Sequence, residues 1–233
     1  MGNKNKRTKE MVSTAMLCAI AYTSTVVITM VLPPVVKFPP LYFDPKDIVI
    51  LFGGFIFGPF TALIMSVIVA FLEMFTISET GIVGCIMNIV SSCSFTCVAS
   101  FIYHRRKTLE GATIGLIAGV ISVTIVMALW NYIFAPIFMA SPQMSSTQWR
   151  EIIKGMLLPV FVPFNLFKSG VNAVVTMLLF KPVVTALHKS DLIPPMIVGS
   201  RSTKIKWIFV AAGFVAVTLI LLFAINPPPP PPA

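Results

Sequence analysis

Asn165, Lys168, Asn172 and Thr176 recur at spacings of three, four and four residues, so on a helix they stack along one face. Their chemistry is hydrogen bonding: one ammonium donor, two amides and a hydroxyl. Lys168 sits inside a long apolar run, where an ionisable side chain is costly unless it faces a partner or a cavity. The stripe should therefore point inward. Asn165 and Lys168 are candidate ligand-binding residues, whereas Asn172 and Thr176 suit hydrogen bonds to neighbouring helices. Pro159 and Pro163 precede the stripe and remove two backbone donors, which predicts a kinked or partly unwound outer end. Asn131, beside Trp130, is a second amide inside an apolar run, able either to join helices or to contact a ligand. A third polar face, Asn88, Ser92, Thr96 and Ser100, repeats every four residues. Its small side chains predict close helix packing, with Asn88 the member able to reach a ligand as well.

Nothing comparable points to catalysis. Glu73 and Glu79 fall near the outer end of the third apolar segment, where solvated or interfacial carboxylates are expected, and neither has a catalytic partner in the sequence. His104 and His188 fall at span ends, so there is no zinc-protease pattern and no Ser/His/Asp set within the membrane. Cys18, Cys85, Cys93 and Cys97 lie in apolar runs and read as buried, unpaired thiols rather than disulfides or metal ligands. The glycine-rich stretch Gly53-Gly54-Phe55-Ile56-Phe57-Gly58-Pro59 lacks the lysine and hydroxyl of a phosphate-binding loop. The reading is of a chain that is not an enzyme, holds no cofactor or metal, and depends on partner subunits for any ATP-driven transport.

These residues must be positioned by membrane helices. Of 233 residues, 57% are hydrophobic and 11% charged, against roughly a quarter charged in soluble domains. That excludes a soluble globular protein, a disordered chain and a disulfide-stapled scaffold. Taking a span as about 20 apolar residues, segments are predicted at 11–32, 47–57, 59–76, 82–103, 111–139, 156–187 and 207–225. The second is short and meets the third at a tight Gly58-Pro59 turn. Twelve of the seventeen Lys and Arg residues cluster on one side, from Lys4 to Lys9, Arg105 to Lys107, and Lys181 to Lys206. This bias puts the N-terminus in the cytoplasm and makes the net charge of +9 a matter of topology, with the bilayer and not nucleic acid as partner. Lys37, Lys46, Arg150 and Lys154 go to the outer side. Two long outer connections follow, Pro33 to Lys46 and Ser141 to Gly155, the first a proline-stiffened lid and the second carrying Trp149 as an interfacial anchor. The chain divides into a membrane domain at 1–188, a polar linker at 189–206, an extra helix at 207–225 and a polyproline tail at 226–233.

In order, several pieces together resemble a known family: Ala15-x-x-x-Ala19, Phe43-Asp44-Pro45-Lys46-Asp47-Ile48, the Gly53 to Pro59 stretch, Trp130-Asn131-Tyr132, and Pro163-Phe164-Asn165-Leu166-Phe167-Lys168. They are similar to the substrate-binding S components of energy-coupling factor (ECF) vitamin transporters, most of all the riboflavin-specific type, over roughly residues 10–188. The resemblance implies an all-α polytopic fold, a six-helix bundle to which this chain adds one C-terminal helix. It implies that riboflavin binds near the outer side under the loop after the first helix, and that the bundle docks in the cell membrane on a shared transmembrane coupling protein with two ATPases. Asn131, Asn165 and Lys168 would contact the ligand, with Asn88 nearby and Leu41 and Phe43 of the lid completing the pocket. Ala15 and Ala19 would face the coupling protein. Where a carboxylate is expected after the Gly81 to Gly84 turn, this chain has Cys85. The alternatives are the same fold tuned to another vitamin or to a flavin derivative such as FMN, and a membrane structural or sensory protein whose polar stripe only joins helices.

Overall fold

The structure is a computed structural model that describes residues 2–189 apart from 33, 35, 38, 39, 79 and 143. The predicted linker, seventh helix and proline tail, and Glu79, lie outside the described residues. Eight helices are present among the rest: α1 Gly2–Val31, α2 Lys46–Phe57, α3 Pro59–Thr76, α4 Gly81–Arg106, α5 Leu109–Ile133, α6 Ala135–Phe138, α7 Ser146–Met156 and α8 Val162–Lys189. Five helical stretches are long and apolar enough to cross a bilayer, with α2 the short sixth member of the bundle. Between α1 and α2 a two-residue antiparallel ladder, β1 Val36–Lys37 and β2 Pro40–Leu41, sets Val36 opposite Leu41.

Local sequence explains where the helices stop. Gly58 takes a φ of +112°, a backbone region that glycine enters freely, and Pro59 then opens α3 with its φ already helical. This joins two apolar helices with almost no loop. At the far end of α4, Lys107 adopts the left-handed conformation, and the Thr108 hydroxyl accepts from the Gly111 amide 3.0 Å away to start α5. The predicted span at 111–139 is broken near Phe134, so that α6 with Pro136 is a separate turn.

Two expectations about loops fare differently. Beyond α7, residues Leu157–Phe161 form a π-helical turn around Pro159, the partial unwinding that the prolines predicted. The segment Ser141 to Gly155, expected as an outer loop, is instead largely helix. Ser145 and Gln148 make a capping box that satisfies the first backbone donors of α7, while Ile153 and Met156 are buried on its inner side. Its few apolar residues stand at helical spacing, a pattern hidden by the low overall hydropathy of the segment.

The main core lies toward the Arg105 end. Phe55 of α2, Tyr103 of α4 and Phe180 of α8 meet with ring centroids 4.6–5.9 Å apart. The helices α4 and α5 approach so closely that a Cβ on Gly115 or Gly119 would stand 2.5 or 2.7 Å from the backbone oxygens of Ala99 and Phe95. This rigid seam leaves the opposite ends of the helices to enclose a cavity.

Candidate ligand-binding site

The end of α1, the start of α2, the end of α3, the start of α4, the end of α5 and the start of α8 surround one cavity of about 230 Å³. Leu41, Phe43, Asn88, Asn131, Asn165 and Lys168 all line it. These six come from four different segments, the lid before α2 and helices α4, α5 and α8, and only the fold brings them together. Tyr42, Met127, Phe161 and Phe164 add aromatic and thioether surface that the sequence reading had not assigned to the site. Trp130, the neighbour of Asn131, stacks on Phe134 at 4.4 Å between centroids.

One wall of the cavity belongs to α5 and α8. The Asn131 side-chain NH2 donates to the Met127 carbonyl and that of Asn165 to the Phe161 carbonyl, each at 2.8 Å. Each amide is thereby anchored to its own helix one turn back, which leaves its carbonyl oxygen and its second N–H for another partner. Lys168 reaches across to Asp44 at 3.4 Å. Asn172 is fully buried and donates to the Asp44 backbone carbonyl at 3.0 Å, while Thr176 bonds the Asn172 carbonyl. Both lie away from the cavity; Asn172 ties α8 to the segment before α2, whereas the Thr176 bond stays within α8 and does not reach the neighbouring helix that was expected.

The facing wall corrects one expectation: Glu73, expected at a solvated or interfacial position, is 2% exposed, and Lys46, counted among the outer-side charges, is itself only 1% exposed. The Lys46 ammonium donates to Asp44 and, at 2.8 Å, to Glu73. Asn88 donates to the same Glu73 oxygen at 3.0 Å. Ser92 donates to Asp47 at 2.6 Å, so two members of the α4 face anchor carboxylates as well as packing. Toward the other end of that face, Ser100 does press on Gly54 of α2 so closely that a side chain there would collide with it. Burial, the largest influence on Asp44, pushes its carboxyl up; the ammonium groups of Lys46 and then Lys168 outweigh it and hold Asp44 well below the usual carboxylate range. The Asp44 to Asp47 segment is thus pinned to α1 through Thr25, to α3 through Glu73, to α4 through Ser92 and to α8 through Lys168.

Cys85 is buried beside the cavity-lining Gly84. Among the described residues no group of histidine, cysteine and carboxylate side chains is arranged to hold a metal ion. Ala15 and Ala19 stand exposed on α1, beside the exposed Met11, Met16 and Ile20.

This arrangement, a cavity closed by an irregular segment at one end of a helical bundle, has relatives. Residues 9–180 match the family described as ECF transporter, substrate-specific component. The chain belongs to that family. Riboflavin transporter RibU of Staphylococcus aureus is 27% identical over 187 residues, covering 79% of this chain and 95% of that protein. Riboflavin transporter FmnP of Bacillus subtilis is 25% identical, covering 75% and 91%. A solved S component of a bacterial ECF transporter superimposes with a TM-score of 0.61 at 28% identity, covering 78% of this chain and 98% of that one. The S-component fold therefore accounts for the described helices as one unit.

Proposed function

We propose that this S component is the riboflavin-binding membrane subunit of an ATP-driven vitamin uptake transporter. The observation that carries the reading is the convergence of Leu41, Phe43, Asn88, Asn131, Asn165 and Lys168 on one cavity. Its chemistry suits a flavin: aromatic and thioether side chains cover a flat apolar ring, and the free carbonyl and N–H of each anchored amide complement the alternating C=O and N–H groups along one ring edge. The Lys168 ammonium supplies a charged donor to a ring carbonyl or side-chain hydroxyl. The names of the relatives from Staphylococcus aureus and Bacillus subtilis support the same ligand.

The cavity lies at the end of the bundle opposite Arg105, Arg106 and Lys107, and the preference of such charges for the cytoplasm supports an outer-side site with the N-terminus inside. Energy must come from elsewhere. Family membership supports docking on a transmembrane coupling protein served by two ATPases, and the small, exposed Ala15 and Ala19 suit the close approach of a partner helix to α1. The full chain purified in detergent should carry a flavin absorbance spectrum or quench added riboflavin fluorescence on titration. A colourless protein that leaves riboflavin fluorescence unchanged overturns the reading.

A further inference from the structure

We infer that Glu73 is a specificity-determining residue of the cavity, accepting a hydrogen bond from a hydroxyl on the ligand's polyhydroxy chain; this rests on the riboflavin reading and deepens it. Glu73 lines the cavity from α3 and is 2% exposed. Its oxygen Oε2 accepts from both Lys46 and Asn88, at 2.8 and 3.0 Å. Its other oxygen, Oε1, is buried with no hydrogen-bond partner among the described residues. A buried carboxylate oxygen left without a donor is costly, and a carboxylate beside an ammonium can only accept. The missing partner must therefore be a donor. The ammonium groups of Lys46 and Lys168 pair with Asp44 and Glu73 while Asp47 accepts from Ser92, so the three buried carboxylates outnumber the two ammonium groups by one.

The two walls divide the ligand between them. Phe161, Phe164 and Met127 accompany the amides of α5 and α8, the place for an apolar ring with polar edges. The α3 and α4 wall offers Glu73, Asn88, Ser78, Thr80 and Ser91, a surface of hydroxyls, amide and carboxylate. A chain of hydroxyls, each both donor and acceptor, matches that second wall and has a donor to give Glu73.

The test compares riboflavin with lumiflavin, which keeps the ring and replaces the hydroxylated chain by a methyl group. In Glu73→Gln the amide oxygen must stay with Lys46 and Asn88, so the NH2 turns to where Oε1 was and opposes a ligand hydroxyl with a second donor. Glu73→Asp keeps the charge that Lys46 needs but withdraws the acceptor. By fluorescence titration of the purified full-length chain, both variants should bind riboflavin roughly tenfold more weakly while retaining lumiflavin affinity within about twofold. Retained lumiflavin binding also reports that the cavity is folded. Equal losses for both flavins make Glu73 a structural residue, and unchanged riboflavin affinity removes it from the site; either overturns the assignment. A wild-type chain that binds neither flavin instead overturns the riboflavin reading itself.

Discussion

The two walls of the cavity are built in different ways. On the α5 and α8 side, each amide is tied to a carbonyl four residues earlier in its own helix, so its orientation is a local property. On the α2, α3 and α4 side, orientation comes from ion pairs and hydrogen bonds between segments far apart in the chain, such as Lys46 with Glu73 and Ser92 with Asp47. The first wall can lose a side chain with little harm to the fold. In the second, each partner keeps another from being an unpaired charge in a low-dielectric interior, so binding surface and scaffold are the same residues.

The sharpest test of that contrast is Lys46→Met. It strands Asp44 and Glu73 together, and breaking a buried pair by removing one partner is worth about 3–5 kcal/mol. A large fall in the thermal unfolding midpoint in detergent is expected, and a shift no larger than that of an exposed ion-pair variant would erase the distinction between the walls. Lys168→Ala is milder, because Asp44 keeps Lys46 and the segment keeps its other ties. It should lower riboflavin affinity roughly tenfold to a hundredfold, corresponding to about 1.5–3 kcal/mol for a charged donor, with the fold retained by circular dichroism.

Asn165→Ala removes a neutral amide whose bond to the fold is local. A loss of about 0.5–1.5 kcal/mol in binding, roughly twofold to tenfold in affinity, is expected from fluorescence titration, with an almost unchanged melting midpoint. Unchanged affinity in both the Asn165 and Lys168 variants would remove the α8 wall from the site. The smallest effect on binding and stability belongs to Ala15→Leu with Ala19→Leu on the exposed face of α1, within about 0.5 kcal/mol by titration and melting. Riboflavin uptake in cells that supply the coupling protein and ATPases should nevertheless be lost, because the bulky side chains hold a partner helix away. Retained uptake would return the pair to an ordinary lipid-facing surface.

Much of the site was legible in the chain because its signals are periodic. Asn165, Lys168, Asn172 and Thr176 declare one helix face by spacing alone, and Pro159 declares the irregular turn above it. The α7 helix was hidden because its apolar residues are few, although the Ser145 to Gln148 capping signature and the spacing of Trp149, Ile153 and Met156 could have disclosed it. The burial of Glu73 and Lys46 was hidden for a different reason. A carboxylate near a span end and a lysine near a loop end have the same local sequence whether they face water or each other.

The amino-acid sequence by itself determined the membrane-helical class, the tight turn at Gly58-Pro59 and the inward polar stripe of α8, since hydropathy, backbone freedom and helical period are properties of short stretches. Only the tertiary structure decided that Leu41, Asn88, Asn131 and Lys168 share a cavity, and that Lys46 meets Glu73 across 27 positions and Lys168 meets Asp44 across 124. Charge pairing in an interior depends on distance and desolvation, which are set by how helices are arranged around one another and are absent from any single segment of the chain.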